Sequence, residues 1–415
     1  MKKYVIAGNS IAAVGCVEGI RSIDKNAEIT IVSKEEHHVY CRPLISYYLE
    51  GKTDSERIKY RPDDFYKNNE CKVLYNKSVV KICADSKSVI LDDDSTLNYD
   101  SLCVATGSIP FVPMVKGYDT VENKHTFMTL NDALEIERSV NKSSRVLIVG
   151  AGLIGLKCAE GLSKRVKSIT VCDLSPKILS SILDDEAAAL VQGFMEKNGI
   201  DFMTGDTVEE FDCSAARMKS GKTIEFDLLV MAVGVRANTA LVSEAGGKCS
   251  KGITVDKYMK TSLNDIYAAG DCTESMDAVD NKVKVMALLP NAYMQGFCAG
   301  INMAGGTKTI ENIVPMNSIG FFGLHIMTAG SSANPPEGAK TYFESSGENI
   351  RKFVVKDNRL IGFELVGNVE RAGIYTNLLR MRTPLDSIEF ENLKKQPGLY
   401  AFNEEYRRKK LGGVV

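Results

Sequence analysis

Apolar runs of strand length alternate along the chain with segments of helical period. One order appears twice: an apolar run, a cluster of small residues, a helix and a second strand. The first unit predicts a strand over 3–7, a turn over 8–13, a helix over 11–20 and a strand over 28–33. In the second, 146–149 is a continuous apolar run of buried-strand type and Gly150-Ala151-Gly152-Leu153-Ile154-Gly155 follows at once. Residues 156–162 then keep a helical period, and a strand over 168–172 delivers Asp173. Between the units, 37–51 is aromatic-rich, with Pro43 stopping any helix through it and a short amphipathic helix after it. Residues 72–100 read as strands and hairpins, with Asp92-Asp93-Asp94-Ser95 as a tight polar turn. The run 102–110 is a buried strand ending in Ala105-Thr106-Gly107, and Pro110 and Pro113 mark a linker before a helix over 131–141.

Beyond Asp173 the pattern predicts a helix over 184–198, strands near 200–203 and 218–224, and a buried strand over 228–233 ending at Gly234. Another apolar strand ends in Ala269-Gly270-Asp271, and 289–304 is a helix with small Ala292, Gly296 and Gly300 on adjoining faces. From about residue 310 the signal changes to antiparallel strands, over 319–329, 351–356 and 359–366, with Asp357-Asn358 as a hairpin turn and a helix over 370–380.

The glycines of the central unit each have a physical task. Gly150 permits the tight turn, Gly152 lets backbone approach a pyrophosphate, Gly155 packs helix on strand, and the helix N-terminus attracts phosphate charge. Asp173 can accept from both ribose hydroxyls of an adenosine. Strand, glycines, helix, strand and acid in this order and spacing point to dinucleotide binding. The first unit is an imperfect copy. Gly8-Asn9-Ser10-Ile11-Ala12-Ala13 has Ser10 where the second glycine belongs and Ala13 as an accepted substitute for the third. Lys34 occupies the acidic position, which leaves the ribose to Glu35 from a shifted backbone.

At 415 residues the chain is long enough for two or three domains, and its 44% hydrophobic and 25% charged residues are ordinary for a globular protein. A formal charge of −2 leaves no broad basic surface for nucleic acid or anionic lipid. The N-terminal apolar run is too short for a signal and no stretch is long enough to span a bilayer. Eleven cysteines, an odd number without a close C-x-x-C pair, indicate reduced thiols in the cytoplasm rather than disulfides or an iron-sulfur cluster. The four histidines show no metal-ligand spacing.

The first glycine turn, Ala105-Thr106-Gly107, the central glycine turn and Tyr267-Ala268-Ala269-Gly270-Asp271 fall in the order found in the pyridine-nucleotide-disulfide oxidoreductase superfamily, which this chain resembles. Tyr40-Cys41-Arg42-Pro43-Leu44-Ile45-Ser46 looks like the Y-x-R-P-L-L-S stretch of NADH:rubredoxin reductases, ferredoxin reductases and the flavin module of NADH-dependent nitrite reductases. Leu289-Pro290-Asn291-Ala292 with Gln295-Gly296 resembles their helix beside the flavin. The likeness covers about the first three-quarters of the chain well and the last hundred residues in outline.

The resemblance implies an α/β fold of two Rossmann-like dinucleotide-binding domains, the NAD domain inserted in the FAD domain, plus an α+β C-terminal domain. The implied boundaries are 1–112 with 238–309 for FAD, 113–237 for NAD and 310–415 for the C-terminal domain. It implies that Gly8, Ser10 and Ala13 meet the FAD pyrophosphate, Arg42, Pro43 and Ala292 lie along the flavin, and Val80 meets the adenine through its backbone. Ala105, Thr106 and Gly107 close that site and Asp271 bonds the ribityl or pyrophosphate region. NADH then falls to Gly150, Gly152, Leu153, Ile154 and Gly155, with Asp173 on the ribose and Gly234 near the nicotinamide. Asp173 would repel the 2′-phosphate of NADPH, a preference tempered by nearby Lys177.

Many relatives carry a lysine after the serine of the R-P-x-L-S stretch and a glutamate two residues past the last NAD glycine. Here those positions are Tyr47 and Lys157. If they face each other across the flavin, Lys157 supplies the only charge there and tunes flavin N5 or steers the nicotinamide. The alternative is a helix-surface lysine paired with Glu160. The first helix lacks the C-x-x-x-x-C dithiol of glutathione-reductase-like relatives. Cys41 is offset by a few residues from the position of the single-cysteine relatives, so it reads first as an incidental thiol.

The function implied is an FAD-dependent NADH oxidoreductase that passes electrons to a small separate carrier such as rubredoxin or ferredoxin. The basic tail Arg407-Arg408-Lys409-Lys410 would help to dock the carrier. The rival enzyme readings are an NADH oxidase and a Cys41-dependent disulfide or persulfide reductase. A rival of another class is a non-catalytic flavin-bound subunit or sensor. The C-terminal domain is a homodimer interface in many relatives.

Overall fold

The computed structural model describes residues 1–311 and 313–411, and in it the apolar runs pair into three five-stranded sheets, besides smaller ones. The first is parallel throughout, in the order Ile266–Ala268, Ser101–Val104, Lys3–Ala7, Glu28–Val32, Cys71–Leu74. The second is also parallel: Ile200–Thr204, Ser168–Asp173, Arg145–Val149, Leu228–Met231, Lys124–His125. Every strand of the second falls in sequence between Ser101–Val104 and Ile266–Ala268. The chain therefore leaves the first sheet, builds the second and returns. At the crossing, Ser108–Pro110 pairs antiparallel with Val235–Ala237. The central strands Lys3–Ala7 and Arg145–Val149 are buried along nearly their whole length, as strands covered on both faces must be. This is the α/β arrangement expected, one Rossmann-like unit inside another.

The helices of these units are α1 (Ile11–Ile23), α2 (Ile45–Glu50), α3 (Phe65–Asn68), α4 (Leu130–Ser139), α5 (Leu153–Leu162), α6 (Asp185–Lys197), α7 (Ala240–Glu244) and α8 (Leu289–Met303). Local chemistry sets several starts. Thr129 and Asp132 form a capping box on α4, Asp184 accepts from Ala187 N at 2.9 Å on α6, and Pro290 stands in the first turn of α8, where no N–H is missed.

The third sheet is antiparallel, in the order Met316–Phe321, Leu324–Gly330, Arg359–Val366, Asn349–Lys356, Lys340–Ser346. Tyr375, Leu378 and Leu379 of helix Gly373–Met381 pack on its Phe353 and Phe363. Two predicted strands are in fact hairpins. Residues 218–224 span a turn between Ala215–Met218 and Thr223–Glu225, with Gly221 at φ +86°; 319–329 folds back at Phe322-Gly323, both at positive φ. Asp357-Asn358, with φ +50° and +58°, is the predicted turn. The helix predicted from residue 370 starts three residues later, after Arg371 at φ +58°. Glu404–Leu411 is helical; the side chains of Lys409 and Lys410, which end the basic tail, lie outside the described residues. Among the described residues no helix is long and apolar enough to cross a membrane.

Helix α5 is where the three units meet. One continuous core joins Tyr40, Ile45 and Leu49 from the first unit, Leu156, Ala159 and Leu162 of α5, and Phe321, Leu324 and Ile326 of the third sheet. A Cβ on Gly161 would lie 2.9 Å from Ser46 O and 3.0 Å from Leu49 Cβ, so glycine lets α2 settle on α5. A second bridge is polar. Lys352 Nζ pairs with Asp184 Oδ2 at 2.7 Å, and Asp184 N donates to Glu364 Oε1 at 3.3 Å, with Glu364 fully buried.

Candidate cofactor and active site

The two glycine turns are built alike. Gly8 and Gly150 have φ of +120° and +116°, and a Cβ on either would stand 2.2 Å from Ala105 O or 2.3 Å from Ala232 O. Each turn thus fits under the end of the neighbouring parallel strand only because the residue has no side chain. A Cβ on Gly155 would meet Gly150 O at 2.0 Å, so that glycine seats α5 on its own turn. Gly152, the N-cap of α5, faces open space within 4 Å, as do Gly107 and Gly234. Leu153 and Ile154 open α5 and are partly buried. In the first unit Ser10 is the N-cap of α1, its side chain making no cap bond, and Ala13 is buried.

Helices α1 and α8 lie against each other through glycines. A Cβ on Gly15 would meet Tyr293 O at 2.3 Å and on Gly19 Phe297 O at 2.4 Å; on Gly296 it would meet Ala12 O at 1.9 Å and on Gly300 Cys16 O at 2.1 Å. The contacts advance together along both helices, so the two are parallel. Their N-termini, the positive ends of two helix dipoles, point the same way beside the first glycine turn. Ala292 stands in the first turns of α8. Such a cradle fits a pyrophosphate and the electron-rich edge of a ring system, so the residues present suit FAD.

Arg42 is fixed on three sides. It donates to Glu35 Oε1 at 2.5 Å and Met128 O at 2.9 Å, and it sits 5.5 Å from the Tyr40 ring centroid. Tyr40 Oη donates to Glu35 Oε2 at 2.6 Å and accepts from Leu130 N at 2.9 Å. Both oxygens of Glu35 are therefore engaged. Its residue-shifted backbone makes it the holder of Arg42, and the ribose role expected of it competes with those bonds. Pro43 lies exposed in the 3₁₀ turn Arg42–Leu44. Burial pushes the Asp271 carboxyl up, with the Arg42 charge opposing. Val80 is half exposed at a register shift in the ladder between Val79 and Lys81, which frees its backbone for a ligand. Buried Ala105 leads to Thr106, whose Oγ1 donates to Asn238 O at 2.9 Å, while Asn238 N donates to Gly107 O at 2.9 Å. Asn238 has no strong sequence signal; its place seven residues after the strand Leu228–Met231, just past the glycine exit at Gly234, is the clue.

Asp173 ends its strand with both oxygens oriented. Oδ2 accepts from Ala151 N and Oδ1 from Ser175 N, each at 2.7 Å, which leaves outward lone pairs on both. Lys177, the cation that tempered the NADH preference, is held by Asp185 at 2.7 Å.

The structure brings Tyr47 and Lys157 together, with Lys157 Nζ 4.6 Å from the Tyr47 ring centroid. One expectation is corrected: Lys157 is not the sole charge. It pairs with Glu160, as the alternative expects, but it is partly buried rather than a helix-surface lysine; Glu160 is buried at 4% exposure, and Lys157 also donates to Gly320 O at 3.1 Å. Glu160 Oε1 in turn accepts from Phe322 N at 2.6 Å. The pair ties α5 to the hairpin turn of the third sheet, because that turn leaves a carbonyl and an N–H to be satisfied. Burial pushes the Cys41 thiol up, which disfavours a thiolate there.

A family model described as pyridine nucleotide-disulphide oxidoreductase matches residues 2–296. The chain is 33% identical over 392 residues, 92% of each chain, to the NADH-dependent phenylglyoxylate dehydrogenase subunit epsilon of Aromatoleum evansii. It is 32% identical over 375 residues to the nitrite reductase [NAD(P)H] of Bacillus subtilis (strain 168), which covers 88% of this chain and 46% of that longer protein. Among solved structures, the covalent putidaredoxin reductase–putidaredoxin complex superposes with a TM-score of 0.86 at 25% identity, covering 95% of this chain and 96% of that one.

Proposed function

The chain belongs to the pyridine nucleotide-disulphide oxidoreductase family and is an FAD-dependent NAD(P)H oxidoreductase; we propose that it takes NADH and passes electrons to a small, separate redox protein. The observation that carries this reading is the repeated glycine turn, tucked under the neighbouring strand's end at Gly8 and at Gly150, joined through the crossing of Ser108–Pro110 with Val235–Ala237. Two dinucleotides held by two such turns bring a nicotinamide and a flavin to one place. FAD, when bound, supplies a hydride acceptor that can release electrons one at a time.

The chain's own residues supply the rest. In this reading Gly150, Gly152 and Gly155 with the N-terminus of α5 receive the NADH pyrophosphate, and Asp173 accepts from its ribose. Asp173 would also repel a 2′-phosphate, and Lys177, four residues on, is paired with Asp185. Gly8, Ser10 and Ala13 with the paired N-termini of α1 and α8 receive FAD, Arg42 and Asp271 flank it, and Thr106 and Gly107 close over it. The crossing strands support boundaries at 1–112 with 238–309, 113–237 and 310–415. The first helix carries no C-x-x-x-x-C dithiol, which favours an acceptor separate from this chain, and in this reading the protein works in the cytoplasm. The likeness to a reductase solved with its carrier protein supports a small carrier. A homodimer through the third sheet is the assembly the family resemblance suggests, and sedimentation velocity checks it.

Anaerobic mixing with NADH is expected to bleach the flavin absorbance, and stopped-flow mixing with rubredoxin, ferredoxin, oxygen and disulfides to show fastest reoxidation by a carrier protein. A flavin that NADH leaves oxidised would sink the proposal. Cys41→Ser is expected to leave carrier reduction unchanged; its loss would favour the thiol mechanism.

A second reading is favoured by the 92% mutual coverage with a protein named as a subunit: the chain works inside a larger assembly, exchanging electrons with a fixed partner subunit. Rapid reduction of free carriers by the isolated chain argues against it.

A further inference from the structure

The turn that carries Asp271 joins the strand Ile266–Ala268 to Glu274–Met276, with Thr273 bridged to Ile253. It leaves Ile266–Ala268 through Gly270, at φ +86°, where a Cβ would be 3.1 Å from Ala12 Cβ of α1 and 3.7 Å from Ala292 Cβ of α8. The turn is thus wedged between the first turns of the two parallel helices. Thr273 closes it internally, Oγ1 donating to Gly270 O at 2.8 Å.

From outside the turn, Gln295 of α8 grips it. This side chain is 2% exposed; its carbonyl oxygen accepts from Gly270 N at 2.7 Å and its amide nitrogen donates to Ser275 Oγ at 2.7 Å. The grip spans Gly270 to Ser275 and encloses Asp271. A side-chain amide accepts at one end and donates at the other, which suits it to both partners at once. The helix behind Gln295 is itself immobilised, because the next residue, Gly296, brings α8 so close to Ala12 O that a Cβ there would stand at 1.9 Å.

We infer that Gln295 is a positioning residue that sets where the Asp271 carboxylate stands relative to the ribityl and pyrophosphate region of FAD. The inference rests on the assignment of Asp271 to FAD. Gln295 acts through Asp271, by holding the Gly270 peptide in its left-handed turn. Without the acceptor, the buried Gly270 N–H has no partner, and the turn relaxes to satisfy it.

A double-mutant cycle tests this, with Gln295→Leu, Asp271→Asn and the pair. FAD affinity is read from titration of apoprotein and the flavin midpoint potential from dye equilibration. Each single substitution is expected to weaken FAD about tenfold or more and to shift the potential in the same direction, on the scale of a lost charge-assisted contact. The pair is expected to be no worse than Asp271→Asn alone. Losses that multiply in the pair would overturn the inference and reduce Gln295 to packing. An Asp271→Asn protein with unchanged affinity and potential would instead overturn the assignment of Asp271 to FAD. Thermal melts of the apoproteins report folding; if Gln295→Leu does not fold, Gln295→Met, which keeps the side-chain length and removes the acceptor for Gly270 N, takes its place in the cycle.

Discussion

At the residue scale, two side chains show how one position acquires a role from its neighbours. Asp173 needs no tertiary contact to be recognised, since strand and spacing announce it, but its orientation depends on Ala151 N and Ser175 N. Replacing Asp173 with Ala is expected to raise KM for NADH about tenfold or more, the weight of hydrogen bonds to a charged group, while FAD content stays unchanged. Equal loss of both in steady-state kinetics and flavin absorbance would mean that the two sites are assigned in reverse. Lys157 is the opposite case. Its departure from the relatives was visible in the sequence, whereas its partnership with the hairpin turn at Phe322 was not, because that turn lies more than 160 positions away. Lys157→Met leaves Glu160 buried without its cation and is expected to cost about 3 kcal/mol in urea unfolding. Lys157→Met with Glu160→Gln recovers much of that. A single variant as stable as the parent would show the pair to be solvated.

At the element scale, α1 and α8 are a matched pair separated by more than 260 residues. Their small residues were legible one helix at a time; that the glycines of one face the carbonyls of the other was not. Gly296→Val is expected to destabilise by about 3 kcal/mol, the upper range for overpacking, because the added Cβ meets a backbone carbonyl and not a movable side chain. Its FAD occupancy is expected to fall with it, measured as flavin absorbance per protein. A normal variant would contradict the tight parallel packing. The two predicted strands that proved to be hairpins failed for a local reason. Apolar residues run through the turn at Phe322-Gly323 and mask it, whereas Lys219-Ser220-Gly221-Lys222 is a polar turn signal inside the predicted strand; left-handed backbone at Gly221 and at Phe322-Gly323 reverses the chain.

At the scale of the whole molecule, the buried cluster of Asp184, Lys352 and Glu364 joins the inserted unit to the third sheet. Burial, and then the charge of Asp184, pushes the Glu364 carboxyl up to about 8, with Lys352 opposing. An unfolded glutamate ionises near its ordinary value, so the folded chain holds a proton that the unfolded chain has already lost. The stability this contributes is present below the ordinary glutamate range and is lost as pH rises through about 8. Between those limits the group is expected to lower stability by about 1.4 kcal/mol per pH unit. Glu364→Gln is expected to flatten that slope in denaturant unfolding followed from pH 6 to 9, and parallel slopes for the two proteins would refute the buried proton. What the sequence by itself determined is what short stretches encode: the two glycine turns, the strands and helices beside them, the acid at Asp173 and the order that marks the family. Tertiary structure alone decided the contacts between distant residues. It engaged Glu35 with Arg42, buried Glu160 under the hairpin turn, set α1 against α8 and fastened the Asp271 turn to Gln295. Strand and turn signals act over a few residues, whereas these partners meet only after the three units have packed against one another.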